Sequence, residues 1–167
     1  MVTTTTAYNE SRNRAWPGEG YDGVVRVSVA GYYGTGVLLY DGHAVLTAAH
    51  LFADSASEAS VRFETAAGSQ TIAASRIVPL ASYDDNGNND LALVWLSTPA
   101  PLQAERYELY RAGDEVGKAF AMVGYGVPGS GTSGTLDGYS GLPLRQKASN
   151  QFDADIGTLK SYLGSSM

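Results

Sequence analysis

The chain has 167 residues, no cysteine, two histidines and a net charge of −6, with 17 acidic against 11 basic residues. Without cysteine there is no disulfide framework, thiolate zinc site or cysteine nucleophile, and the scattered Lys and Arg argue against a nucleic-acid backbone as partner. The opening "MVTTTTAYNESRNR" (1–14) lacks the apolar core of a signal peptide, and no apolar run approaches the roughly 20 residues of a membrane-spanning helix, so no membrane partner is expected.

Residues 1–21 are polar, with Pro17 and several glycines, and are expected to form a mobile N-terminal arm. Six short apolar or alternating runs follow: 23–30, 34–40, 43–48, 59–66, 70–80 and 91–96. Turn residues separate them. Asp41-Gly42 predicts a tight hairpin, and Asn86-Gly87 sits in a polar loop. The apolar residues of these runs show no 3.6-residue period, and Val, Thr and Tyr are frequent, which suits strands. Six such strands over residues 22–100 fit a closed antiparallel barrel or a sandwich.

Residues 101–117 read as a connector, and the last stretch, 118–167, opens on a further apolar strand, "KAFAMVGYG" (118–126). A Gly/Ser/Thr-rich loop (127–141) and "LRQKASNQFDAD" (144–155) come next. The latter can pair back as one more strand. The chain finishes in a weakly amphipathic piece beginning at Ile156.

Chemistry concentrates around "VLTAAHLF" (45–52). His50 follows an apolar strand and two alanines, and could be a packing residue, a metal ligand or a general base. The two small residues leave room beside the imidazole, and Leu46 and Val45 anchor the strand beneath it. Forty positions on, Asp90 opens the apolar strand of "NNDLALVWL" (88–96). An Asp at that place can cap a strand or turn; it can equally orient an imidazole and stabilise its protonated form. The pair is more specific than either member.

"GTGVLLYDGHAVLTAAHLF" (34–52) resembles the segment around the catalytic histidine of trypsin-like, chymotrypsin-fold serine proteases. "NNDLALVWLSTPAP" (88–101) is similar to the family's Asp-Ile-Ala-Leu segment, and "MVGYG" (122–126) to its Gly-Trp-Gly turn. The resemblance implies an all-β fold: a six-stranded antiparallel Greek-key barrel, the N-terminal half of a two-barrel protein, followed by an incomplete second barrel. It implies His50 as general base and Asp90 as its orienting carboxylate, and a peptide or protein as substrate. The cysteine-free composition looks most like bacterial members, for which a secreted or extracellular location is expected.

The resemblance also marks departures. The family's Gly-Asp-Ser-Gly-Gly nucleophile motif is absent. Ser130, Ser133 and Ser140 lie in the Gly-rich loop, where "GYSGL" (138–142) lacks the second glycine of a Gly-x-Ser-x-Gly elbow, and Ser161, Ser165 and Ser166 lie near the C-terminus with no oxyanion-hole glycines following. The expectation is therefore a truncated chain with no nucleophile of its own, inactive alone, whose partner is the missing C-terminal barrel or a complementing chain. Leu51 replaces a cysteine that many members use in a local disulfide, so packing must hold that turn. A non-catalytic protease-like binding module is the alternative.

Metal binding is a weaker expectation. In "YDDNGNND" (83–90), Asp84, Asn86, Asn88 and Asp90 alternate as calcium ligands do, but the glycine and glutamate of a helix–loop–helix calcium site are missing. No other cofactor is expected. His43 and His50 could approach across the Asp-Gly hairpin as a zinc pair, without an evident third ligand.

Overall fold

The computed structural model describes residues 3–4, 10–52, 58–84, 87–131, 134–135 and 142–163. In chain order its strands are β1 (Thr3–Thr4), β2 (Val24–Val29), β3 (Tyr32–Leu38), β4 (Ala44–Thr47), β5 (Ala59–Thr65), β6 (Gly68–Pro79), β7 (Ala92–Leu96), β8 (Ala119–Gly124), β9 (Gly129–Ser130), β10 (Gly134–Thr135) and β11 (Gln146–Gln151). One α-helix, α1, spans Ile156–Leu163. Two 3₁₀ turns, Ser11–Asn13 and Ala49–Phe52, complete the regular structure.

Strands β2 to β7 close into an antiparallel barrel in the order β2-β3-β4-β7-β6-β5. All six strands expected from the alternating runs are present. Period-two burial explains why: in β5 the side chains of Ala59, Val61, Phe63 and Thr65 point inward, and Ser60, Arg62 and Glu64 between them are only partly covered. Val25, Val27, Leu38, Val45, Val61, Phe63 and Val94 meet, fully buried, as the centre of the core.

Two strands differ from the sequence reading at their ends or middles. The β2–β3 turn is only Ala30-Gly31, both with positive φ (47° and 87°), so β3 begins at Tyr32 rather than Gly34. Such two-residue turns match the twist of flanking strands, although alanine is an unusual choice at a left-handed position. Strand β6 carries a bulge between Ala74 and Arg76. Before it the strand pairs with β5, and from Ala74 onward with β7. One long run thus turns the corner of the barrel, as bulges do. The Ser75 hydroxyl donates to the carbonyls of Trp95 and Leu96, both at 3.2 Å, and pins the corner. The Asp41-Gly42 turn forms as expected. Asp41 Oδ1 accepts from the backbone N–H of His43 (2.9 Å) and Ala44 (3.1 Å), and Gly42 takes φ 71°.

Beyond the barrel, residues around Tyr107 run along it, with the Tyr107 N–H donating to the Leu38 carbonyl at 3.0 Å. Strand β8 pairs with β11 as an antiparallel two-stranded sheet, and β9 pairs with β1 and β10. Of the stretch expected as an arm, residues 10–21 lie folded in: Ala15 is fully buried, and its N–H donates to the Arg145 carbonyl at 3.0 Å. No helix among the described residues is long and apolar enough to cross a membrane.

The seam between barrel and β8–β11 sheet is polar and dry. Arg145 is fully buried; its guanidinium donates to Asp22 Oδ1 (2.7 Å) and to the carbonyls of Val24 (3.2 Å) and Ala15 (3.3 Å). Asp22, equally buried, also accepts from the backbone N–H of Gly18 and Ala66. The Tyr125 ring is buried beside it, with its hydroxyl 3.2 Å from Glu64 and its N–H on the Thr35 hydroxyl at 2.9 Å. Burial, with the negative Glu64 nearby, pushes the Tyr125 phenol far above its usual range.

Removing one member of a buried ion pair strands the other charge. Arg145→Met is therefore expected to lower unfolding stability by about 3–5 kcal/mol in urea denaturation. The double change Arg145→Met with Asp22→Leu should recover most of that loss. A single variant within about 1 kcal/mol of the parent would show that the pair does not hold the seam.

Candidate active site

His50 and Asp90 come together because of how β4 and β7 pair. The two strands are antiparallel, with Ala44 opposite Trp95 and Thr47 opposite Ala92. The C-terminal end of β4 and the N-terminal end of β7 therefore share one rim of the barrel. His50 lies three residues past Thr47, and Asp90 two residues before Ala92.

The chain leaves β4 through Ala48 into the 3₁₀ turn Ala49–Phe52, where Ala49 and Phe52 point into the core. That leaves His50 on the outside, its side chain 61% exposed. Thr47 Oγ1 donates to the Thr35 carbonyl at 2.8 Å, holding the end of β4 to its neighbour β3. On the other side, Asn89 adopts φ 55°, a left-handed conformation that Asn tolerates better than most residues. Its side-chain amide donates to the Ser82 carbonyl at 3.1 Å. Asn89 thus bends the backbone and aims Asp90 back over the rim. Sequence reasoning missed this residue, although an Asn before a strand-opening Asp is a legible left-handed signal.

The Asp90 carboxylate grips His50 at two points. Oδ2 lies 2.7 Å from Nδ1 of the ring, and Oδ1 accepts the His50 backbone N–H at 2.8 Å. With its plane set by a ring nitrogen and a backbone amide of one residue, the carboxylate has little freedom to turn. The hydrogen bond to the His50 ring holds the Asp90 carboxyl below its usual value, helped by the backbone N–H and opposed by partial burial. An ionised Asp90 against Nδ1 fixes the proton there and leaves Nε2 as the basic nitrogen. Such an imidazole can accept a proton at Nε2 and be stabilised while it carries it.

The other expected candidates lie elsewhere. His43 precedes β4 and His50 follows it, so the four residues of that strand, roughly 13 Å of extended chain, lie between them. The Asp84 carboxylate accepts from Asn88, at 3.2 Å from its backbone N and 3.0 Å from its side-chain amide. Asp90 faces His50, and Asn86 lies outside the described residues. Among the described residues no three His, Asp or Glu side chains cluster to hold a metal. Ser130 sits in β9, and Ser161 in α1 donates to the Thr158 carbonyl at 2.7 Å. Ser133, Ser140, Ser165 and Ser166 lie outside the described residues. Among the described residues the His50 imidazole hydrogen-bonds to Asp90 alone.

Comparison with known proteins agrees with the geometry. No curated protein sequence matches the chain. Among solved structures, neuropsin, a serine protease expressed in the limbic system of mouse brain, superposes with a TM-score of 0.71 at 17% identity, covering 93% of this chain and 69% of that one. Identity that low speaks for the fold. The family model for trypsin matches residues 13–155, most of the chain and all of the barrel that carries His50 and Asp90. The chain belongs to the trypsin family.

Proposed function

We propose that the chain supplies the base side of a serine endopeptidase site, with His50 as general base, Asp90 as its orienting carboxylate and a serine nucleophile contributed from outside these 167 residues. The observation that supports this most is the 2.7 Å contact between His50 Nδ1 and Asp90 Oδ2, backed by the second grip of the same carboxylate on the His50 N–H. In that role Nε2 takes the proton of the attacking hydroxyl and later returns it to the leaving amine, while Asp90 stays ionised and steadies the imidazolium. The substrate is a peptide or protein. His50 is exposed enough for both substrate and nucleophile to reach it.

The sequence contains no Gly-Asp-Ser-Gly-Gly segment, and a base without nucleophile and oxyanion donors cannot carry acyl transfer. The 167-residue chain is accordingly expected to give no acyl-enzyme with an active-site-directed fluorophosphonate. Stoichiometric labelling would place the nucleophile within the chain. Once a nucleophile-bearing second barrel is supplied, His50→Ala should lower kcat by about 10⁴-fold or more. Near-normal turnover would remove His50 from the mechanism.

Protonation gives an independent reading. Because Asp90 is held below its usual value near 3.8, the stability from its contact with His50 is fully present above that value. It is lost as pH falls through the lower folded-state value. Carboxyl-detected NMR should find that His50→Ala moves the Asp90 titration midpoint upward, toward the ordinary range. An unmoved midpoint would mean that the pair is not formed in solution.

A further inference from the structure

We infer that Leu51 is a positioning residue for the His50–Asp90 pair, its side chain seated on the bare backbone of Gly34 and fixing the turn that carries His50. This deepens the proposed function and rests on it. The starting observation is the glycine. Gly34 has no positive φ, so backbone conformation does not demand glycine there. What its position demands is the absence of a side chain: a Cβ at Gly34 would lie 2.7 Å from Leu51 Cδ1 and 3.1 Å from Cδ2. Both methyls of Leu51 fill the space that any other residue at position 34 would claim.

The location gives this contact its consequence. Strands β3 and β4 pair at only two positions, Val37 with Leu46 and Leu38 with Val45. Past that short ladder, toward the catalytic rim, two of the side-chain contacts that tie the chains together lie next to the turn. One is Thr47 Oγ1 on the Thr35 carbonyl, and the other is Leu51 on Gly34. Packing does little to hold His50 on β3, since most of its side chain is in solvent. Ala49 offers only a methyl, and Phe52 faces the core at the far end of the turn. Leu51, the immediate neighbour of His50, therefore sets how the turn sits on β3. Both bonds to Asp90 depend on that seating, because one comes from the His50 ring and the other from its backbone N–H.

A packing contact that only stabilised the fold would leave the Asp90 titration of the folded protein unchanged. The test is therefore carboxyl-detected NMR on the 167-residue chain, with His50→Ala as reference. Leu51→Ala is expected to move the Asp90 midpoint upward, in the direction of His50→Ala, and Leu51→Met, which refills the space, to restore it. Gly34→Ala alone should displace Leu51 and also raise the midpoint. Combined with Leu51→Ala, the new methyl occupies the emptied space and the midpoint should return part of the way. If Leu51→Ala fails to fold, Gly34→Ala and the double variant decide. A folded Leu51→Ala or Gly34→Ala with the parent midpoint, while His50→Ala still shifts it, overturns the role of Leu51 and leaves the pair standing. No shift in any variant, His50→Ala included, overturns the pair itself.

Discussion

The antiparallel register of β4 and β7 is the constraint on which the rest of the molecule depends. Thr47 opposite Ala92 sets which residues reach the rim together. A slip of one residue would turn every side chain of one strand to the other face, burying what is now exposed and parting His50 from Asp90. That register is protected by the core. Val45 and Val94 lie opposite each other and are both fully buried, so neither strand can shift without leaving the barrel interior. Closure adds a second lock, because the bulge in β6 lets a single strand serve both β5 and β7. The His50–Asp90 pair is thus a by-product of hydrophobic alternation, tightened at the end by two hydrogen bonds.

Solvation separates the His50–Asp90 pair from the Arg145–Asp22 pair. At the rim, the His50–Asp90 pair is open to water, which keeps its net contribution to stability small and its protons exchangeable. In the seam, Arg145 and Asp22 are buried, and backbone carbonyls and N–H groups supply further partners to both. The first arrangement suits a group that has to change charge. The second suits one that never should.

The six barrel strands and most of their limits were legible in the sequence because burial alternates with period two in β2 and β5, and because Gly and Asp-Gly steps punctuate the runs; the two-residue strands β1, β9 and β10 were not. His50 and Asp90 were legible as a pair, each beside a short apolar strand, since nothing else in a two-histidine chain makes the same pattern. The start of β3 was not, because Ala30 takes a left-handed turn position that alanine seldom fills. Nor was the seating of residues 10–21: a polar stretch with Pro17 reads locally as a tail, and only Arg145, far along the chain, explains why Ala15 and Asp22 are buried. Asp22 and Arg145 stand 123 positions apart with no shared motif. The resemblance to known proteases made the residue after His50 noticeable, but the matching vacancy at Gly34 could be seen only in three dimensions.

The ion pair of the seam has a kinetic consequence. Its partners stand 123 positions apart in a chain of 167, so the loop they close spans most of the sequence. Closing such a loop carries a large entropic cost that local contacts do not offset. The barrel, whose hairpins join neighbours in sequence, can gather first. The β8–β11 sheet meets the barrel where Arg145 reaches Asp22 and where Tyr125 reaches Thr35 and Glu64. An N-terminal segment cut or displaced between Ala15 and Asp22 would leave a folded barrel with an undocked second sheet, a species with open strand edges and an unmatched guanidinium.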